Sequence, residues 1–279
     1  GLVAHYPFND NANDESGNGH NGTAENSSAT ADRHGASSKA WTFGSNANSL
    51  VRVPSDPAFT FGGDYTISLW AKFNEPWTYH AESLVWKGLS PNPKYTLLVN
   101  EDSGYSVHFQ PFGLNCSKSV NYSDISQWFH ITGVYSAGTV KLYMNGSLVA
   151  SASGTPTITD ANKEFFIGGS QNPGVANHSR NVDEVRVYNR ALSAAEVGQL
   201  HTLELPPAPV ITIVPSPVNA LAGQNVEFNA AATGATDHQW QKQEANGAYS
   251  DINGQTNTVL SLTGVQPIDH HSSYRFLAS

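Results

Sequence analysis

Short runs in which apolar and polar residues alternate, broken by clusters of Gly, Asn, Asp and Pro, recur along the whole chain. Alternation with period two sends successive side chains to opposite faces of a strand, so the pattern predicts an all-β protein. In residues 2–8, Leu2, Ala4, Tyr6 and Phe8 share one face. Further strands are predicted at 49–53, 65–73, 83–87, 95–100, 105–110, 129–135, 139–144, 147–151, 165–168 and 182–188. Asn145-Gly146 between two of these runs predicts a hairpin, because both residues tolerate the positive φ of a type I′ turn. One helix stands out, where Ser193 and Glu196 form a capping box ahead of Val197 and Leu200.

The pattern breaks at Leu205-Pro-Pro-Ala-Pro209, a stiff and extended stretch. It divides the chain into a domain at 1–203, a linker at 204–209 and a second domain at 210–279. Strands resume at 210–214, 225–230, 238–243, 258–262 and 274–277. No internal repeat is evident.

Composition narrows the function classes. Of 279 residues only 13% are charged, while 39% are hydrophobic and the net charge is −9. A disordered chain would carry fewer aromatics and more charge. A helical bundle would not hold 24 Gly and 15 Pro. Nucleic-acid binding needs a basic stripe to displace counterions, and none is present. No apolar run is long enough to span a bilayer. Gly1 in place of an initiator Met suggests a processed or excised start. Cys116 is the only cysteine, so an intramolecular disulfide and a cysteine-based zinc site are excluded. The eleven histidines lack a partner four residues on along a helix, and read as scattered polar residues.

The residues Gly223-Gln-Asn-Val-Glu-Phe-Asn-Ala230, then Trp240, Val259-Leu-Ser-Leu262 and Tyr274, resemble an immunoglobulin-type sandwich. The resemblance implies a buried Trp240 and a corner tyrosine at Tyr274, with Asp269 in the turn before it. Ala230 and Phe276 stand where antibody domains carry cysteines, so apolar packing replaces the bridge. Asp269 lies one residue further from Tyr274 than in the family pattern. The last strand of that pattern has no counterpart, so an open edge and further protein beyond it are expected.

Four stretches of the first domain resemble the laminin-G-like jelly rolls of the concanavalin A-like superfamily. They are Val3-Ala-His-Tyr-Pro-Phe-Asn-Asp10 followed by residues 14–22; Thr66-Ile-Ser-Leu-Trp70; Trp128-Phe-His-Ile131 leading into Val140-Lys-Leu-Tyr-Met-Asn-Gly146; and residues 182–197. The resemblance implies two face-to-face antiparallel sheets, with first and last strands paired and calcium often bound. It implies a non-catalytic module of secreted bacterial proteins that act on polysaccharide, or of adhesins. Trp70, Trp128 and His130 fall on strand positions, where core or structural roles are expected.

The residues themselves point toward a cation. By period two Asp183 faces inward with Val185 and Val187, while Glu184 and Arg186 face out. An inward carboxylate needs a cation or several N–H groups. With the pairing that the resemblance implies, Asp183 lies beside the loop that carries Asp10, Asp14, Asn18 and His20. Calcium takes six to eight oxygens in flexible geometry, and these five residues form the candidate metal set for a structural Ca2+. The competing reading makes Asp10 and Asp14 turn caps and gives Asp183 to backbone N–H groups.

Catalytic residues are not found. Glycosidases on this sandwich use Glu-x-Asp-x-x-Glu, whose alternate carboxylates share a cleft. Here Asp183 and Glu184 are adjacent and point to opposite faces. Alginate-lyase patterns are absent, and Ser-His-Asp or Cys-His arrangements have no local signature. Sugar binding uses aromatic platforms with polar side chains beside them. Candidate ligand residues are Trp77 and Tyr79 in the polar 74–80 loop, together with His108, Gln110 and Phe112. The competing reading has Trp77 and Phe112 plugging the ends of the sandwich. Together these features predict a non-catalytic polysaccharide-binding module with structural calcium. It would belong to a larger secreted bacterial protein and bind neither nucleic acid nor membrane. An adhesin or spacer that contacts protein, and a hydrolase or lyase with an unfamiliar site, are the alternatives.

Overall fold

In the computed structural model, which describes residues 1–45, 48–77, 81–89, 92–101, 104–155, 163–169, 178–203, 209–235 and 237–279, the chain divides into two units, Gly1–Glu204 and Leu205–Ser279. The first unit contains β1 (Leu2–Tyr6), β2 (Thr23–Glu25), β3 (Ser27–Thr30), β4 (Ala40–Phe43), β5 (Leu50–Val53), β6 (Tyr65–Phe73), β7 (Ala81–Leu89) and β8 (Asn92–Glu101). It continues with β9 (Tyr105–Pro111), β10 (Cys116–Ser119), α1 (Tyr122–Ile125), β11 (Phe129–Ser136), β12 (Thr139–Met144), β13 (Ser147–Ser153), β14 (Phe165–Ile167), β15 (Arg180–Tyr188) and α2 (Ala194–Leu203).

These strands build two antiparallel sheets. The first runs β13-β12-β11-β6-β15-β4-β3, with β1 also paired to β15, and the second runs β10-β9-β8-β7-β14-β5-β2. Between them lies one apolar core that includes Phe8, Phe43, Phe59, Tyr65, Phe109 and Phe165. Each such side chain contributes roughly 1.5–3 kcal/mol on burial. At the Asn145-Gly146 turn both residues have positive φ (46° and 75°), and the turn closes the β12–β13 hairpin.

β6 is buried on both faces. Tyr65, Ile67, Leu69, Ala71 and Phe73 enter the core. The opposite face is covered by α2, whose Val197 packs with Val134, Tyr143 and Leu192. The predicted capping box forms, with Ser193 N donating to Glu196 Oε2 at 2.8 Å and Glu196 N donating to Ser193 Oγ at 3.2 Å. β2, β3, β4 and β10 were not legible as alternating runs. They are three or four residues long, three of them rich in Ser, Thr and Ala, and their pairing is set by neighbours rather than by their own pattern.

The second unit contains β16 (Val210–Ile213), β17 (Val226–Asn229), β18 (Ala231–Thr233), β19 (His238–Gln243), β20 (Tyr249–Asp251), β21 (Val259–Leu262) and β22 (Tyr274–Ala278). The pairings are β16 with β18, β17 with β21, and β20-β19-β22. Trp240 is fully buried with Ala230 and Leu260, and Phe228, Tyr274 and Phe276 pack around them.

Candidate functional site

The loop after β1 is built around one carboxylate. Asp14 Oδ1 accepts from the backbone N–H groups of His5 and Ser16, both at 2.9 Å. Its Oδ2 accepts from the Ser16 hydroxyl at 2.9 Å and from His20 N at 3.0 Å. Burial works against the charge, yet these donors hold the carboxyl below its usual range. Asn18 Nδ2 donates to Val3 O at 2.8 Å, and the His20 ring lies edge-on to Phe59. Asp10 sits exposed at φ 61°. Among the described residues, Asp10, Asp14, His20 and Asp183 do not assemble into a group that could hold a metal ion. Both Asp14 oxygens accept from protein donors.

Asp183 departs from period two for a local reason. A β-bulge opens between Asp183 and Arg186 in the β15–β6 ladder, with Glu184 at φ 52°. The extra residue shifts the alternation. Val182, Val185 and Val187 all face the core, and Asp183 lies beside Trp70 on the outer face. The expected inward orientation of Asp183 is therefore wrong. Trp70 is buried as expected, but on the outer face; Trp128 is only half-buried.

On that outer face Arg33 Nη1 meets Asp183 Oδ2 at 2.6 Å, and its guanidinium lies 5.0 Å from the Trp70 ring centre. Asp183 Oδ1 is buried without a hydrogen-bond partner among the described residues. Burial, with the Glu184 charge beside it, pushes the Asp183 carboxyl up to about 8, although Arg33 pulls the other way. Glu184 turns to His5 Nε2 at 2.7 Å and Arg186 Nη2 at 2.8 Å.

Next to Trp70, Ser68 Oγ and His130 Nε2 are 2.8 Å apart. The pairing imitates a nucleophile and its base, but both residues are buried and α2 lays His201 against Trp70 and His130. Both side chains are closed off from solvent. Burial, reinforced by His201, Arg186 and Arg33, pushes His130 down to about 3. The unfolded chain takes up a proton at His130 near pH 6.5 that the folded protein refuses. The stability this residue contributes is thus whole above that pH and is lost as pH falls toward 3, at about 1.4 kcal/mol per unit. Urea unfolding at pH 7 and pH 4 should show a flatter pH dependence for His130→Gln than for the wild type. Equal slopes would remove His130 from the acid response.

A second polar group, which the sequence did not announce, crosses the interior. Glu82 on β7 and Arg180 on β15 are both fully buried, with Arg180 Nη1 3.2 Å from Glu82 Oε2 and 2.6 Å from the carbonyl of His178. Glu82 Oε1 also meets His178 Nδ1 at 2.8 Å. No alternation pointed to Glu82, because bulges interrupt the β7–β8 register.

The candidate ligand residues separate. Trp77 is 4% exposed and packs against Phe73 and Tyr105. Phe112, also 4% exposed, packs edge-on against Tyr65 and Tyr135. Rings this deeply buried offer no platform to a sugar, so both are plugs and their expected role in sugar binding is corrected. Tyr79 lies outside the described residues. His108 and Gln110 do lie on the outer face of the second sheet, since Val107 and Phe109 between them enter the core. His108 is held at both ring nitrogens, by Ser106 Oγ at 2.7 Å and Asn115 Oδ1 at 3.0 Å. Across the ladder Gln110 lies opposite Thr96, His108 opposite Leu98 and Ser117, and Ser106 opposite Asn100 and Ser119. Thr96 and Leu98 are buried, so the half-exposed part of the strip is Ser106, His108 and Gln110, with Asn100, Asn115, Ser117 and Ser119 beside them.

Solved structures share this fold. Domain 4 of AbnA, a GH43 extracellular arabinanase from Geobacillus stearothermophilus solved with arabinotriose, is 23% identical, with a TM-score of 0.53 over 72% of this chain and 98% of that one. The binding domain of Paraclostridial Mosquitocidal Protein 1 is 19% identical, with a TM-score of 0.58 over 95% and 71%. A Trypanosoma rangeli sialidase is 16% identical with a TM-score of 0.54, and this chain covers 32% of it. No curated protein sequence matches. A family model described as the concanavalin A-like lectin/glucanases superfamily matches residues 43–198, more than half of the chain, and the protein belongs to that family, Laminin_G_3.

Proposed function

We propose that the first unit is a non-catalytic module that binds an uncharged polysaccharide, and that it serves a larger secreted bacterial protein acting on that polysaccharide. The observation that carries this reading is the strip of Ser106, His108, Gln110 and Asn115 on the outer face of the second sheet. Hydroxyl and amide groups at fixed positions are suited to the hydroxyls of a neutral sugar, and a ring locked at both nitrogens loses little entropy on binding. The buried Ser68–His130 pair and the absence of a paired-carboxylate motif support a binding role over a catalytic one. The fold likeness to domain 4 of AbnA is consistent with it.

A glycan array followed by titration calorimetry tests the reading. Binding of a neutral polysaccharide is expected, weakened at least tenfold in the His108→Ala/Gln110→Ala double variant, with melting unchanged and no reducing sugar released. Binding that survives the double variant moves the site elsewhere. An array without hits leaves a spacer or protein-binding adhesin as the better account.

Calcium stands apart in this reading. Protein donors already saturate Asp14, so the N-terminal loop is expected to hold without an ion. The melting temperature should be the same in EDTA as in calcium. A fall in EDTA that calcium restores would reinstate the cation.

The second unit is read as an immunoglobulin-type sandwich. The support is Trp240, buried between Ala230 and Phe276, and β22, which pairs on one side alone among the described residues.

A further inference from the structure

The strip on the outer face of the second sheet has a direction that its composition does not show. Asn115 Oδ1 is a carbonyl oxygen and can only accept, so His108 Nδ1, 3.0 Å away, carries the proton and donates. A neutral imidazole has one N–H, and the bond made by one nitrogen therefore decides the state of the other. Nε2 is left bare. Ser106 Oγ lies 2.7 Å from it, so the Ser106 hydroxyl donates to the ring. The three side chains form a chain of hydrogen bonds whose sense is set at Asn115, in the connection between β9 and β10.

That chain ends on an oxygen with no proton left to give. With its hydrogen directed at Nε2, Ser106 Oγ presents lone pairs to the outside. Ser106 and His108 are half-exposed and Asn115 is exposed, so a ligand can approach them. Leu98 and Ser117 stand opposite His108, and Asn100 and Ser119 opposite Ser106. None of these four is charged. Lys118 stands opposite Val107, at the alternate position, and Val107 enters the core. A ligand oxygen that carries a hydrogen meets an acceptor at Ser106. A carboxylate or sulfate oxygen meets lone pairs with its own, and the residues across the ladder supply no cation to offset the contact.

We propose that Asn115, acting through His108, makes Ser106 an obligate acceptor, and that this relay selects glycans by their hydroxyl donors and rejects those that carry carboxylate or sulfate groups. The proposal rests on the reading of the strip as a glycan site and assigns the residue that sets its selectivity. Asn115 is a positioning residue, since it acts two hydrogen bonds away from the sugar. Without its carbonyl the ring is free to take the other tautomer. Nε2–H then donates to Ser106 Oγ, and the Ser106 hydroxyl turns outward as a donor, which suits an acidic group instead.

Two measurements on the whole chain test this. Long-range 1H–15N NMR reads the ring itself, at about pH 8.5, above the range in which histidine ordinarily titrates. The His108 signals are those lost in His108→Gln. A protonated Nδ1 and a bare Nε2 are expected in the wild type and in Asn115→Asp, which keeps an acceptor. Asn115→Leu should move the proton to Nε2. Asn115 is exposed, so the melting temperature of both variants should match the wild type. A wild-type proton on Nε2 overturns the proposal, and so does a proton that stays on Nδ1 in Asn115→Leu. The second measurement is a glycan array that carries neutral polysaccharides beside polygalacturonate, alginate and sulfated galactan. The wild type should bind neutral members roughly tenfold or more above acidic ones, and Asn115→Leu should lose that preference while Asn115→Asp retains it. Acidic glycans bound as well as neutral ones, or a preference unchanged in Asn115→Leu, overturn the relay and leave the strip a glycan site. An array without hits overturns the glycan reading itself, and the selective role of Ser106 with it, even where the tautomer is as expected.

Discussion

Replacing Gly168 by alanine is expected to destabilise the first unit by roughly 2–5 kcal/mol, among the largest losses available from a single methyl group. Two effects add. Gly168 has φ 75°, a left-handed conformation that costs an L residue about 1–2 kcal/mol. A Cβ at this position would also intrude on the Phe43 ring, which is fully buried against it. Overpacking of that kind costs about 1–3 kcal/mol. Phe43 cannot retreat without disturbing β4 and its ladder to β15. Gly133 faces a similar obstacle, since its Cβ would come 2.5 Å from the Phe109 ring, but without the backbone strain. Urea unfolding followed by tryptophan fluorescence should place Gly168→Ala well below the wild type, and the melting temperature should fall by roughly 10 °C. A shift of only a degree or two would mean that Phe43 yields easily.

Glu82→Gln is expected to cost about 3–5 kcal/mol, because it leaves a guanidinium buried without its counter-charge. Arg180 is already poorly supplied. Among the described residues Nε and Nη2 have no hydrogen-bond partner, and burial pulls its pKa down to about 10 in spite of Glu82. Removing the carboxylate charge takes away the main compensation. The opposite change, Arg180→Met, should be milder, since Glu82 keeps His178 as a partner and the thioether fills the space. Joining the two as Glu82→Leu/Arg180→Met should recover most of the loss, because a buried pair replaced by apolar side chains gives back its desolvation cost. A double variant as unstable as Glu82→Gln would show that the pair contributes more than it costs.

These two sites mark where sequence reading reached its limit. The β6 strand, the β12–β13 hairpin and the α2 capping box were legible because each is decided by neighbours in sequence. Asn145 and Gly146 accept positive φ, and Ser193 and Glu196 reach each other across one helical turn. Glu82 and Arg180 are 98 residues apart, and nothing local to either announces the other. Asp183 was readable as a costly carboxylate but not as an outward one, because a bulge of one residue reverses the alternation and a bulge depends on both strands of the ladder. Trp77 in a polar loop looked exposed from its neighbours, yet Phe73 and Tyr105 close over it. His108 and Gln110 were placed on an open face by the simple period that Val107 and Phe109 impose, and there the strand is regular.

By itself the sequence determined the class of fold, the break near the proline-rich linker and the spacing of residues that marks the family, because alternation and turn chemistry act over a few residues at a time. The tertiary structure alone decided which sheet face each polar group occupies. It also decided that Asp14 is held by four protein donors, and that Arg33 and Arg180 answer Asp183 and Glu82. Those outcomes depend on bulges and on contacts between strands far apart in the chain, and the free energy of a buried charge is set by the groups that surround it rather than by the residues beside it in sequence.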